Sequence, residues 1–429
     1  MRMKSFIAAF AIVGVARAFG VLHGQTSAVV TPSISDQTAS AQPAALKLPV
    51  PSGPDGIGRV GYEWTDNARS DPYSADPKAH RALMVYIWYP APRNAAGGAE
   101  PYLPGARQMD ANPEARSHMT DEFGAHWPLI VSGAIKSHAI EHAPVAKSQS
   151  LLPLVIFSHG AGGTGLEYTA LIEDLVSHGY VVAAIEHTYM AAAVTFPNGT
   201  VVPAHHDAEP AGLTQQQRWQ RMMDSTGLAI RQGAEDQIFA LNTLAELNKS
   251  GGQDFPLHGR LDLNRVAAMG HSAGGAFATG ACQLDVRFHA CVSLDGEMPP
   301  VAAFPQFNDG KGFQQPVMLL EVDHAHDRMP FSPAQFDDFR KKVEAQLNLC
   351  PAGSYDVLLK APGLFHGSFS DYPLSAAKDA RENEVAIHNL SLTQRYIRAF
   401  LGKYLKDEKA PSLDEPSQTS EAEVRRYGH

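Results

Sequence analysis

Val266-Ala267-Ala268-Met269-Gly270-His271-Ser272-Ala273-Gly274-Gly275 (266–275) is the stretch on which the fold turns. Val266–Met269 reads as a short buried strand, and the small residues from Ala273 onward read as a helix. Between them Gly270-His271-Ser272-Ala273-Gly274 satisfies G-x-S-x-G. A serine on so sharp a strand-to-helix turn takes a strained backbone conformation, and flanking glycines let the chain pass close. The helix N-terminus behind it offers backbone N–H groups to an oxyanion. In that setting Ser272 is a candidate nucleophile.

Working outward, strands and helices alternate. Leu83–Tyr89 (LMVYIWY), Leu152–Phe157, Tyr180–Ile185, Ala290–Leu294, Pro316–Val322 and Tyr355–Leu359 are apolar runs of strand length. Helical patterns lie near Leu166–Ser177, over 213–248, from Ala273, around 333–348 and over Leu392–Tyr404. This βαβα rhythm predicts an α/β fold, a mostly parallel central sheet with helices on both faces. No second lead-in or linker interrupts it, so 58–405 reads as one domain although 429 residues would allow several. The stretch 102–150 breaks the rhythm and is expected to be a cap insertion over the sheet's edge. Residues 19–57, rich in Ser, Thr, Ala, Gln and Pro, read as a flexible lead-in, and 406–429 as a polar, solvated tail.

A serine hydroxyl is a weak nucleophile that needs a base, itself held by an acid, and on such a sheet the chain order is Ser, then Asp or Glu, then His. His366, in Gly363-Leu364-Phe365-His366-Gly367, follows the last strand and is the candidate base. For the acid, Asp295 ends one strand 23 residues after Ser272, Asp323 ends the next, and Asp327 lies in the following loop. Strand ends on this side of the sheet are where such folds keep their sites, so spacing alone leaves Asp295 and Asp323 both eligible.

Charge narrows the partners. Thirty-five basic residues against 45 acidic ones give a formal charge of −10, the reverse of what a nucleic-acid binder uses. Three cysteines, Cys282, Cys291 and Cys350, without a C-x-x-C pair, make no disulfide framework; one bridge at most is possible, and small buried side chains are the simpler expectation. Arg2 and Lys4 precede an apolar run at 6–16 and the small-residue pattern Ala16-Arg17-Ala18. That is the build of a signal peptide over 1–18, too short in its apolar part to span a bilayer, and it predicts a secreted or periplasmic protein. Its removal takes away Arg2, Lys4 and Arg17 and no acid, leaving a formal charge of about −13.

From about Arg81 to Leu401 the chain resembles the plasma-type platelet-activating-factor acetylhydrolases and their bacterial secreted relatives. The likeness is carried by Arg81–Ala91 (RALMVYIWYPA), Phe157-Ser158-His159-Gly160, His178-Gly179-Tyr180-Val181-Val182, Glu186-His187-Thr188-Tyr189, Leu261–Val266 leading into Gly270-His271-Ser272, and Ser293-Leu294-Asp295-Gly296. The resemblance implies the α/β-hydrolase fold and a serine carboxylic-ester hydrolase that works without metal or other cofactor on short sn-2 acyl phospholipids or other small esters, with a general lipase or cutinase-like esterase as the alternative. It also implies Asp295 as the acid rather than Asp323, His366 as the base, and the backbone N–H groups of Ala161 and Ala273 as an oxyanion hole. Ala273, where several relatives carry phenylalanine, and the 102–150 insertion depart from the family pattern, and both bear on the shape of the substrate pocket. Contact with membrane or lipid is expected to be peripheral at most.

Rival readings rest on single motifs. Gly160-Ala161-Gly162-Gly163-Thr164-Gly165 satisfies G-x-G-x-x-G, and Glu186 follows 21 residues after Gly165, where a dinucleotide fold places its ribose acid. Against an NAD-dependent oxidoreductase, the match falls mid-chain and His159-Gly160 serves an oxyanion loop equally well. Asp323-His324-Ala325-His326-Asp327 and His205-His206-Asp207 gather metal-ligand types without a further ligand at a recognisable spacing. A catalytically dead hydrolase fold used for binding need not keep Ser, Asp and His in order. Tyr102, Trp127, Tyr189, Met190 and Phe196 are candidates for an acyl pocket, with ordinary core packing as the alternative.

Overall fold

The computed structural model describes residues 46–147, 149–205, 210–296, 312–323, 341, 344–415 and 419–428. Among the described residues eleven strands form one sheet: β1 (Gly56–Ser70), β2 (His80–Ala91), β3 (Ala99–Pro101), β4 (Lys136–Glu141), β5 (Leu152–Ser158), β6 (Val181–Glu186), β9 (Leu261–His271), β10 (Ala290–Leu294), β11 (Val317–Val322), β12 (Ser354–Leu359) and β13 (Ala422–Tyr427). Their spatial order is β13-β12-β11-β10-β9-β5-β6-β2-β1-β4-β3. The run from β12 to β6 is parallel throughout, and antiparallel pairs occur only towards the two edges. A separate hairpin pairs β7 (Ala193–Thr195) with β8 (Val201–Pro203).

The central strands are apolar on both faces because both are covered. Val155, Phe157, Val182, Ala184, Ala267 and Met269 point into one core with Leu171 and Leu175 of a helix over Thr169–Ser177 and Ile397 and Leu401 of a helix over Ala380–Lys406. The alternate residues Leu154, Ile156, Val181, Ala183, Val266 and Ala268 point into the other, against Leu241 and Leu244 of a helix over Gln215–Ser250 and Phe277 and Ala281 of a helix over Ala273–Leu284. The period-two alternation of strand side chains divides these residues between the faces.

Three expectations about the periphery need correction. The 406–429 segment is not a solvated tail: Leu413 and Ala422 are buried, and Ala422–Tyr427 adds an antiparallel edge strand to β12. Its charges stay outside, with Glu423 paired to Lys360 and Arg425, as edge strands commonly arrange. The lead-in does not stay loose to residue 57, since Leu46 and Leu48 are buried in the first core and Gly53 packs on Ser177. The 102–150 insertion contributes more than a cap. Its strand β4 runs parallel to β1, and Tyr102, Met109, Met119, Phe123 and Trp127 belong to the same core as the central sheet. The signal-peptide residues 1–18 lie outside the described residues. Among the described residues, no helix is long and apolar enough to cross a membrane.

Candidate active site

Helices are numbered in chain order: α1 (Ala106–Ala111), α2 (Pro113–Phe123), α3 (Trp127–Ser132), α4 (Thr169–Ser177), α5 (Gln215–Ser250), α6 (Ala273–Leu284), α7 (Tyr372–Ala376), α8 (Ala380–Lys406) and α9 (Pro411–Asp414). Ser272 sits between β9 and α6 with φ 55° and ψ −121°, a backbone conformation that residues other than glycine rarely adopt. The motif glycines permit this turn by close approach. A Cβ on Gly270 would stand 2.1 Å from the Gly274 carbonyl oxygen, and one on Gly274 would stand 2.2 Å from that of Ser158. No side chain fits either place.

Asp295 follows β10, also at positive φ (45°), and His366 opens a short 3-10 turn, His366–Phe369, between β12 and α7. The Ser272 hydroxyl lies 2.9 Å from His366 Nε2, and His366 Nδ1 lies 2.6 Å from Asp295 Oδ2. The carboxylate can only accept, so Nδ1–H donates to it and Nε2 keeps a lone pair directed at the Ser272 hydroxyl. The Asp295 side chain is almost wholly buried while His366 is about one-third exposed, which leaves the serine end open to a substrate. Asp323, the other eligible acid, is exposed at the end of β11. Asp327 lies outside the described residues.

The glycine-rich loop after β5 faces this serine. A Cβ on Gly160 would lie 3.3 Å from Ser272 Cβ, so the loop and the Ser272 turn are in contact. The loop is tied down at Gly163, whose N–H donates to the Gly160 carbonyl, and at Gly162, whose N–H donates to the Met190 carbonyl. Ala161 falls inside this turn. Ala273 is the first residue of α6, where backbone N–H groups have no intrahelical acceptor. Glu186, the residue a dinucleotide site would use, is buried beneath the loop, its Oε1 3.1 Å from where a Gly165 Cβ would be. Burial pushes its carboxyl up to about 8, a protonated group at neutral pH rather than a ribose-binding carboxylate.

Sequence reasoning passed over a buried polar layer under the site. Arg81 and Asp236, both fully buried, pair at 2.7 Å, and Arg81 also reaches Asp71 at 3.0 Å. Burial alone would raise the Asp236 carboxyl, yet the Arg81 charge and the His187 hydrogen bond hold it far below the usual range. His187 Nδ1–H donates to Asp236 at 2.8 Å, so its Nε2 accepts from the Ser158 hydroxyl, also at 2.8 Å. Ser158 in turn accepts from the Gln237 amide at 2.7 Å. This array repeats the Ser–His–Asp connectivity but is sealed from solvent, and it fixes the end of β5. Arg81, Ser158 and His187 all fall in the family-like stretches, but their positions in the sequence gave no sign that they meet.

Of the acyl-pocket candidates, Tyr102, Trp127 and Phe196 are core residues, whereas Tyr189 and Met190 are half-buried beside the glycine loop. Of the two Asp/His runs only Asp323 and His205 fall among the described residues, where no group of three or more His, Cys, Asp or Glu side chains is placed to hold a metal. Cys282 of α6 and Cys291 of β10 are bridged, and Cys350 is a buried thiol. The expectation that all three act simply as small buried side chains thus holds for Cys350 alone.

Comparison with known proteins agrees with this frame. Residues 46–379 match the family described as platelet-activating factor acetylhydrolase, isoform II. The chain belongs to that family. It is 30% identical over 327 residues to the platelet-activating factor acetylhydrolase of Cavia porcellus, covering 70% of this chain and 69% of that one. It is 26% identical over 362 residues to a probable 1-alkyl-2-acetylglycerophosphocholine esterase of Arthroderma benhamiae, covering 80% and 81%. A ferulic acid esterase from Streptomyces cinnamoneus superimposes with a TM-score of 0.64 at 26% identity, over 89% of this chain and 99% of that one. The α/β fold and the assignment as a carboxylic ester hydrolase follow from these likenesses together.

Proposed function

We propose that this esterase cleaves short-acyl esters, with sn-2 short-acyl phospholipids as the leading substrate class, through an acyl-enzyme on Ser272. The observation that carries this reading is the hydrogen-bonded line Ser272–His366–Asp295. In the first half-reaction the Ser272 oxygen attacks the acyl carbon as its proton passes to His366 Nε2, and Asp295 stabilises the imidazolium through Nδ1–H. The Ala161 and Ala273 N–H groups hold the negative charge that develops on the carbonyl oxygen. His366 then gives its proton to the departing alkoxide. In the second half-reaction water enters, gives a proton to His366 and attacks the acyl-enzyme, and the Ser272 oxygen takes that proton back as the acid leaves.

The relatives support the phospholipid class by name, one of them as an esterase of 1-alkyl-2-acetylglycerophosphocholine. The ferulic acid esterase neighbour supports a second reading, an esterase for small aryl esters. A p-nitrophenyl ester chain-length series run beside a short sn-2 acyl phospholipid separates them. Cleavage of the phospholipid with a steep fall beyond short acyl chains is expected; long-chain preference without phospholipid cleavage overturns the first reading. Labelling by a fluorophosphonate, abolished in Ser272→Ala, tests the nucleophile itself. The signal-like segment 1–18 supports export, which N-terminal sequencing of secreted or periplasmic protein would check at the Ala18–Phe19 bond.

A further inference from the structure

His271 is the residue of the G-x-S-x-G motif whose side chain the reaction at Ser272 leaves unused, yet it is buried at the centre of the site. Its Nε2 lies 2.9 Å from the backbone oxygen of His366. A carbonyl only accepts, so Nε2 carries a proton and donates it there. Burial, and then the neighbouring His366 ring, pushes the His271 imidazole down to about 3, so the ring is neutral and Nδ1 holds a lone pair. Tyr168 Oη lies 2.7 Å from that Nδ1, and its O–H donates to it. Having given its proton, Oη accepts the Gly160 N–H at 3.1 Å. Each group therefore has one direction open to it, and the chain runs from the Gly160 N–H through the Tyr168 O–H to His271 and on to the His366 carbonyl.

The two ends of this chain are the two loops that must be in register for the reaction. Gly160 C=O shares a rigid peptide plane with Ala161 N–H, and the two point opposite ways. That carbonyl is gripped by His159 Nδ1–H at 2.7 Å and by the Gly163 N–H at 3.1 Å. Tyr168 holds the preceding plane through the Gly160 N–H, so both planes flanking Gly160 are fixed. The direction of the Ala161 N–H is fixed with them. At the other end the backbone of the base itself is held. The Ser272 turn lies between, its Cβ within contact distance of Gly160.

We propose that Tyr168 and His271 are positioning residues, a directional hydrogen-bond relay that locks the oxyanion loop to the backbone of the base and keeps both aligned on Ser272. The proposal rests on the reading of Ser272, His366 and Ala161 given above. Misplacement of catalytic groups by about 1 Å from a change away from the chemistry can cost ~100-fold in rate. Tyr168→Phe removes one buried O–H and keeps the ring, and is expected to lower kcat on p-nitrophenyl acetate by ~10- to 100-fold with KM nearly unchanged.

The readout that a merely structural role would not move is the affinity for a trifluoromethyl ketone, which takes the serine as a tetrahedral adduct and places its oxygen in the oxyanion hole. Its inhibition constant is expected to rise by the factor by which kcat/KM falls across Tyr168→Phe, His271→Gln and the double variant. Because the relay acts as one chain, the double variant is expected to lose about what the worse single loses. Losses that multiply in the double variant overturn the relay, as does a folded Tyr168→Phe enzyme within twofold of wild type. Should Tyr168→Phe fail to fold, His271→Gln, which keeps a donor for the His366 carbonyl, carries the ketone comparison alone: an unchanged inhibition constant beside a lowered kcat/KM overturns the relay. Ser272→Ala separates the two levels. Retained activity there sinks the nucleophile reading, whereas an inactive Ser272→Ala beside a fully active Tyr168→Phe sinks only the relay.

Discussion

Asp295→Asn is the substitution in which the geometry makes the sharpest statement. The two carboxylate oxygens of Asp295 have different neighbours: Oδ1 accepts the Val322 N–H at 3.2 Å, and Oδ2 accepts His366 Nδ1–H at 2.6 Å. An asparagine has one acceptor oxygen and one donor nitrogen in those places. The Val322 N–H is a fixed backbone donor, so the amide oxygen takes the Oδ1 position and the NH2 group faces His366. Nδ1 must then accept, which moves the imidazole proton to Nε2. There it points at the Ser272 hydroxyl, 2.9 Å away, and can no longer receive that proton. The expected result is a wrong-tautomer enzyme with intact fold and a loss in kcat of ~10⁴-fold, as in other serine hydrolases that suffer this exchange. That corresponds to about 5.4 kcal/mol of barrier. Initial rates on p-nitrophenyl acetate, normalised to correctly folded protein by circular dichroism, measure it, with Asp323→Asn as the control. A loss under tenfold in Asp295→Asn, or a larger loss in Asp323→Asn, refutes the reasoning and returns the acid to the exposed strand end.

Gly274→Ala places a methyl group 2.2 Å from the Ser158 carbonyl oxygen and 2.5 Å from that of His159, both rigid backbone. It is expected to cost ~1–3 kcal/mol in urea unfolding and to lower kcat more than KM; unchanged stability would show that β5 can yield. For Glu186, the folded carboxyl is raised by burial to about 8 from an ordinary 4.5, so its contribution is fully present below about 4.5 and is lost as pH climbs through 8. Glu186→Gln should therefore be more stable than wild type at pH 9, by an order of magnitude of a few kcal/mol, and close to it at pH 5; parallel unfolding curves at the two pH values would count against it. Replacing Cys282 and Cys291 together by Ala opens a loop of 9 residues and should cost ~2.5 kcal/mol in thermal unfolding while leaving kcat within a few-fold. No change in melting temperature on reduction under denaturing conditions would show the bridge to be thermodynamically idle.

What was legible in the sequence followed from burial on two faces. Strands β5, β6, β10, β11 and the Val266–Met269 part of β9 lie in the middle of the sheet and read as mainly apolar runs, so both their existence and their parallel order came through. The edges did not. Ala422-Glu423-Val424-Arg425-Arg426-Tyr427 alternates charge with apolar residues because one face of an edge strand meets water, and it reads as a tail until its partner β12 is known. β1 pairs with β4 only over Ile57–Arg59, and the part left open on that side carries Glu63, Asp66 and Asn67. The two candidate acids were inseparable by spacing because both end a strand. Register separates them: Leu294 lies opposite His271, so the next residues, Asp295 and Ser272, emerge side by side, whereas Asp323 leaves a strand one place further out. The Cys282–Cys291 bridge was likewise invisible, since it depends on α6 folding back over β10. The Tyr168–His271 contact spans 103 residues and needs the loop, the motif and the base to meet in space before either side chain acquires a role.

The two positive-φ residues of the site, Ser272 and Asp295, show how the sheet sustains strain where the chemistry needs it. Conformations of this kind cost ~1–3 kcal/mol each and persist only if the surroundings over-determine them. Here the ladder does so. The Ser272 N–H donates to the Leu294 carbonyl at 2.9 Å, and the Asp295 N–H donates to the Leu320 carbonyl at 2.8 Å, each bond continuing the parallel pairing by one residue past the strand's end. The Ser272 carbonyl then accepts the N–H groups of Gly275 and Ala276, which starts α6. Strain and helix initiation thus share the same residue: the backbone that turns the hydroxyl outward is the backbone that begins the helix. Gly270, Gly274, Gly275 and Gly296 surround it, with a built Cβ at each meeting another atom within 2.4 Å. The joint strain of ~2–6 kcal/mol is comparable with the whole stability of an ordinary domain, ~5–15 kcal/mol, so the two-sided core must offset it. The strained turn at Ser272 therefore depends on a sheet covered on both faces, and the apolar strands that made the fold readable are the ones that sustain that turn.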